Sequence, residues 1–384
     1  MAVTDISGYW FCEDIPSLTI TEVGGATTVE YVIRRYNGTL LGRFVEIYYP
    51  VNDTIVIRDM GSLISPYLSE IVASDSLFDN NLMSNYNLRV YVEVSLYDSH
   101  SVMFSKVNFY VIYSHVRMSS RPEAFVGVFL SNYKERRVRP TQFTPVSFLY
   151  HEQSEIAATL GVAYLKEGKA KYKTIDLPVP SSGIYVTVLY RISPGKVIDE
   201  LRAIYPDDCE SVSLEDLVYY TVTLSCHGVK SDSIKHILDR RTLPQETSML
   251  FYNAFGTVET ITLSGRDERA SQMEATHVWM DNQYVKNTTE LVFSHAHNTG
   301  YISGEDHAAL IDMIHSPHVF LYEDCSIGDE VTITEFEDVT SFPKLEPASA
   351  KVTYRVANRN QRSFVRIPNA DVEVFDKTFD ESFE

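Results

Sequence analysis

From Ser17 onward, apolar and polar positions alternate with a period of two. "SLTITEV", "TTVEYVIRRY", "LLGRFVEIYYP", "DTIVIRD", "NLRVYVEVSLYD" and "VMFSKVNFYVIYS" each offer one apolar face of an extended segment. Gly, Asn, Asp and Pro punctuate these runs, and "RYNGT" predicts a hairpin through Asn37 and Gly38. One stretch changes period: in "RDMGSLISPYLSEIVASD", Leu63, Ile64, Tyr67, Leu68 and Ile71 recur at helical spacing, with Pro66 either in the first turn or at a kink. Short strands crossed by one helix predict a β-sandwich over residues 1–120.

The alternation continues through "EAFVGVFLSN", "FTPVSFLYHE", "IAATLGVAYLKEG", "AKYKTIDL", "GIYVTVLYRI" and "LVYYTVTLSCHG". Between the last two, "SPGKVIDELRAI" reads as a helix with Ser193 as N-cap and Pro194 at its first position. We assign residues 121–243 to a second β-rich unit. Residues 244–374 form a third, opening on "SMLFYNAFGTVETITLSG" with a turn at Asn253 to Gly256, and containing one short helix at about 304–315. Residues 375–384 are acidic with spaced phenylalanines, the composition of a flexible tail or of an arm that orders on a partner. The fold class is therefore mainly β: tandem β-sandwich domains with a few short helices.

Composition narrows the function. The chain has 384 residues and a formal charge of −19, a field that repels a phosphate backbone and argues against direct nucleic-acid binding. The one dense basic run, "KERRVR" from Lys134 to Arg139, reads as a solvated strand or loop edge. Cys12, Cys209, Cys226 and Cys325 lack disulfide or zinc spacing, which fits a reducing compartment. No run approaches the ~18 apolar residues of a membrane span, and the N-terminus lacks a leader pattern, so we expect a soluble protein with no membrane partner.

The candidate chemistry lies in "SHAHNTGYISGEDHAALIDMIHSPHVF", which holds five of the eleven histidines. Alternation places His295 and His297 on one strand face, where two imidazoles could share a metal ion, with His307 as a third candidate. Against this, Ser303 and Asp306 form a capping-box pattern, Glu305 and Asp306 suit a helix N-terminus, and Ser316-Pro317 stops the helix. His315 and His318 fall where imidazoles bond the last helical carbonyls. H-E-x-x-H, G-x-S-x-G and phosphate-loop patterns are missing, and acid pairs such as Asp207-Asp208 and Glu323-Asp324 sit at turn or strand ends. We expect no cofactor, no metal and no enzymatic activity.

Three phrases in this order, "YYPVNDTIVIRDMGSLISPYL", "FYNAFGTVETITLSG" and "TGYISGEDHAALIDMIHSPHVFLYED", resemble virion tail, ring and baseplate-type structural proteins of phages and prophages of gut Bacteroidetes, including crAss-like phages. Matched residue by residue, the resemblance marks Gly256 and Gly265 as turn glycines, Glu259 as an acidic hairpin residue, and Gly300 with Tyr301 as a Gly-Tyr pair whose ring inserts. Ser303, Asp306 and Pro317 complete the structural motif. The resemblance implies a non-enzymatic virion tail component, assembled in the host bacterial cytoplasm as a multi-copy ring. Its partners would be copies of itself and other tail or portal-proximal proteins, with its acidic surface lining a DNA path. Two other classes stay open: a host-surface or glycan-binding β-sandwich protein, and a metal-dependent hydrolase using the His295/His297 region.

Overall fold

The computed structural model describes residues 1–68, 82–241, 245–280, 283–323, 326–339 and 349–357. The chain is mainly β, with several sheets and few short helices. The acidic segment 375–384, Cys325, Asp324, Ile71 and the expected boundary at residue 243 lie outside the described residues.

In the N-terminal unit a five-stranded sheet runs in the order Tyr9–Phe11, Met103–Ile112, Arg89–Tyr97, Thr27–Arg35, Leu40–Tyr48. It faces a three-stranded sheet of Ala2–Val3, Leu18–Thr21 and Thr54–Ile57. Alternate residues of both sheets, among them Val29, Tyr31, Ile33, Val92 and Phe109 against Leu18, Ile20, Ile55 and Ile57, fill one core. Fully burying such a side chain contributes about 1.5–3 kcal/mol, so a one-residue slip of register would be costly. The hairpin at Asn37-Gly38 forms as expected, with Gly38 at φ +84°. The helix is shorter than its apolar spacing predicts: Met60–Ile64 is α-helical, and Ser65–Tyr67 tightens to a 3₁₀ turn at Pro66, which has no N–H to continue the ladder.

Leu82–Asn85 leaves this unit and pairs antiparallel with Val186–Tyr190, which also pairs with Val146–Tyr150. One strand thus crosses the expected division at residue 120. The resulting three-stranded sheet packs on a five-stranded one ordered Glu135–Val138, Val229–Leu238, Leu217–Cys226, Ala157–Lys166, Lys169–Leu177. The helix Pro194–Ile204 starts where expected, Ser193 Oγ accepting from the N–H of Lys196 at 3.3 Å.

The C-terminal unit is a seven-stranded antiparallel sheet with the order Val258–Leu263, Thr247–Tyr252, Val319–Glu323, Ser326–Val339, Ser349–Val356, Gln283–Asn298, Asp267–Met280. The helix Gly304–His315 packs on its first two strands. Among the described residues this unit shares its main core with the middle unit. Leu160, Val162 and Val222 of the middle unit belong to the same buried cluster as Met249, Phe251, Leu310, Met313 and Val352. The last two strands of the sheet pair with each other from Asp267↔His297 to Met280↔Gln283, while among the described residues the neighbouring strand pairs only with His295 to Asn298. Beyond that base, among the described residues, they run on as a two-stranded ribbon.

Candidate functional site

The turn Asn253 to Gly256 is where all three units meet. Asn253 is buried; its Oδ1 accepts from the N–H groups of Phe255 and Thr257 and from the Thr257 hydroxyl, an Asx arrangement that closes the turn. Its Nδ2 donates outward to the Leu130 carbonyl at 2.7 Å and to Glu259 Oε1 at 3.3 Å. Gly256 has φ +70°, and a Cβ there would lie 2.6 Å from the Tyr113 ring and 2.9 Å from Leu88. Both neighbours belong to the N-terminal unit, whose His115 N–H also donates to the Ala254 carbonyl at 3.2 Å. Gly256 therefore supplies closeness as well as turn freedom.

Beneath the turn, Glu259 is 3 % exposed. Burial pushes its carboxyl up to about 7, and Asp312 nearby adds to the rise, against the lowering effect of bonds from Ser131 and Asn253 and the charge of Arg136. Arg136 is 5 % exposed; it donates to the Thr260 carbonyl at 3.4 Å and lies 4.8 Å from the centre of the Tyr133 ring. His236 stacks on Tyr220 at 4.6 Å, and burial followed by Arg136 holds it neutral. The basic run is thus a correction to expectation: strand pleating leaves Arg137 outside but carries Arg136 into the seam between units.

The helix Gly304–His315 closes the same seam. Ser303 and Asp306 form the expected capping box. Glu305 does more than favour the dipole: its Oε2 accepts from the N–H groups of Lys134 and Glu135 at 2.7 and 2.9 Å. Asp312 accepts from Asn132 Nδ2 and from the N–H of Ala254, both at 3.3 Å, and burial raises its pKa. Its carboxylates therefore tie the helix to the middle unit.

The five histidines are dispersed by this geometry. His295 and His297 share a strand face as expected, but His295 pairs with Asp267 at 3.2 Å and stacks on Tyr354, whereas His297 is fully buried and held neutral by desolvation. His307 lies apart, bonded to Asp338 at 2.8 Å. His315 bonds the Ile311 carbonyl at 2.8 Å, and His318 meets Glu330 at 2.6 Å. Among the described residues no group of three or more His, Cys, Asp or Glu converges as metal ligands would. Asp208 pairs with Lys173, and Glu323 lines an open cleft of about 830 Å³ with Arg139, Asp267, Arg269, His295 and Tyr354.

Of the other marked glycines, Gly265 acts through contact and Gly300 through turn conformation. A Cβ on Gly265 would lie 2.3 Å from the Asn298 carbonyl oxygen, so this position needs close backbone approach; Gly300 has φ +68°. Tyr301 does not insert as expected: it is 81 % exposed, because Ile302 takes the inward place against the core. Pro317 is exposed just after the helix stop. Arg136, Asn253 as an inter-unit donor, Glu305 as an inter-unit acceptor, and the ribbon aromatics Trp279 and Tyr284 are not evident from the sequence pattern. The Asn inside "FYNAFG" was the available signal, since Asx closure explains its place.

No protein-family profile matches the chain, and no curated protein matches it. Among solved structures, the chain shows slight similarity to the periplasmic chaperone SfaE (8% identity, 58% of this chain and 89% of that one, TM-score 0.16). It shows equally slight similarity to the four N-terminal Ig domains of Dscam1 isoform 4.44 (9%, 79% and 69%, 0.17) and to the calcium-binding domain CBD12 of CALX1.1 (6%, 58% and 92%, 0.17). Scores this low carry no argument about fold kinship or function.

Proposed function

We propose that this protein is a non-enzymatic structural component of a phage virion tail, a ring, hub or baseplate protein that assembles with copies of itself. The observation that carries this reading is the two-stranded ribbon formed by Asp267–Met280 and Gln283–Asn298 beyond its base. Such a ribbon is marginally stable in water by itself. Its far end presents Val278, Trp279, Tyr284 and Val285, with Tyr284 74 % exposed and its ring 4.8 Å from that of Trp279. Apolar aromatics at the end of a ribbon that has no third strand beside it among the described residues are what a neighbouring subunit would cover. Together with the resemblance of three sequence phrases to tail proteins, this favours a subunit that reaches into its neighbour, the heterologous contact a ring requires.

Sedimentation velocity and negative-stain imaging of the full chain test the reading. We expect closed multi-copy assemblies, and association weakened by about tenfold or more in Trp279→Ser with Tyr284→Ser. A full chain that stays monomeric at every concentration, both alone and with neighbouring tail proteins, would overturn it.

The open cleft beside His295 favours a second reading, a glycan-binding protein: its Arg, Asp, Glu and Tyr lining suits polyhydroxylated ligands. Binding of host capsular polysaccharide by a monomeric protein would select it.

A further inference from the structure

A groove of about 100 Å³ runs between the strand Glu135–Val138, at the edge of the middle five-stranded sheet, and the strand Val258–Leu263, at the edge of the seven-stranded sheet. Four arginines line it, Arg136, Arg137, Arg139 and Arg241, in a chain whose net charge is −19. Two of them are committed: Arg139 to Asp239 and Glu246, and Arg241 to Asp239. The other two have donors to spare. Arg137 is exposed and forms no ion pair among the described residues, and Arg136, 95 % shielded from solvent, has no partner for Nε or Nη2. The acids around the groove are Asp239, held by those arginines, Asp306, held by Ser303, and the deeper Glu259. At the rim stands Tyr301, the most exposed of the chain's large apolar side chains among the described residues.

The C-terminal sequence carries the complementary pattern. From Asp371 to Glu384 it has six acidic residues and one lysine, and "FDKTFDESFE" repeats an aromatic–acid pair every four residues: Phe375-Asp376, Phe379-Asp380 and Phe383-Glu384. A groove this small holds a carboxylate side chain, not a strand.

We propose that the groove receives one of these aromatic–acid pairs from the C-terminal segment of a second copy of the chain. Its carboxylate accepts from Arg137 and Arg136, and its ring lies over Tyr301. The inference rests on the reading above that copies associate, and it names the donor and the acceptor. Each copy then offers one segment and one groove, the pairing that closes a ring head to tail. The described chain stops at Ala357, so about 18 residues lead to Phe375, and these span up to roughly 60 Å when extended, enough to reach a neighbour. Three equivalent pairs raise the local concentration of ligand at one groove.

The test uses full-length chains. Arg137→Glu, and separately the combined change Asp376→Lys, Asp380→Lys and Glu384→Lys, should each weaken self-association by about tenfold, and the two sets together should restore part of it. A labelled peptide of residues 371–384 should bind the full chain carrying the three lysines and fail to bind when Arg137→Glu is added. Rings that form equally well in every variant would sink this inference and leave the assembly reading standing. Peptide binding by a chain that never associates would place the segment in its own groove and overturn the second-copy assignment.

Discussion

Glu259 is an acid placed where its charge is unwelcome, and the direction of its shift sets the sign of its effect. Its pKa is raised to about 7, first by burial, from an ordinary value near 4.5. Between those values the unfolded chain gives up the proton that the folded chain keeps. Stability from this group is thus full below about pH 4.5 and is lost as pH rises toward 7, by on the order of 3 kcal/mol. Urea unfolding across this range should show Glu259→Gln with a flatter pH dependence than the intact protein; parallel curves would show that the carboxyl is ionised or solvated in the fold. The hairpin acid and its turn glycine were both marked in the sequence. What was not legible was that Gly256 must admit Tyr113 and Leu88 from a unit more than 140 residues earlier, because period and turn chemistry report local constraints, not which distant surface comes close.

At the scale of elements, the helix Gly304–His315 was readable from its cap, its apolar stripe and its Ser-Pro stop, and it forms with the expected bounds. Its purpose was not readable. Histidine crowding drew attention to ligands, while the side chains that fasten the helix are Glu305 and Asp312. Hydrogen bonds to a charged acceptor are worth about 1.5–3 kcal/mol, whereas loss of the Ser303 cap costs about 1 kcal/mol. We therefore expect Glu305→Ala to destabilise the protein more than Ser303→Ala in thermal unfolding, and to raise protease cleavage in the 131–134 loop. The reverse order would make the helix a self-contained element.

For the whole molecule, strand alternation identified the class but not how the units are joined. A core shared between Val162 and Val352 is invisible to periodicity, since each strand shows only which face is buried and not against what. Charge is a property at this scale too. A ring built from a chain of net charge −19 would present an acidic wall to a DNA path. Assembled protein should therefore fail to retain duplex DNA on a filter even at about 20 mM salt, where electrostatic binding is strongest. Retention that vanishes with added salt would show that basic surface lines the path.

The strand Leu82–Asn85 also imposes a timetable on synthesis. Its partner Val186–Tyr190 follows about 100 residues later, which at about 5–20 residues per second leaves it waiting roughly 5–20 s after it emerges from the ribosome. During that interval the N-terminal sandwich can close while one strand extends from it, its backbone groups open to any other nascent chain. A polysome crowded with copies is thus the setting in which this fold is most exposed to mispairing, and slowing translation between residues 85 and 190 should lower the yield of soluble protein more than slowing it elsewhere.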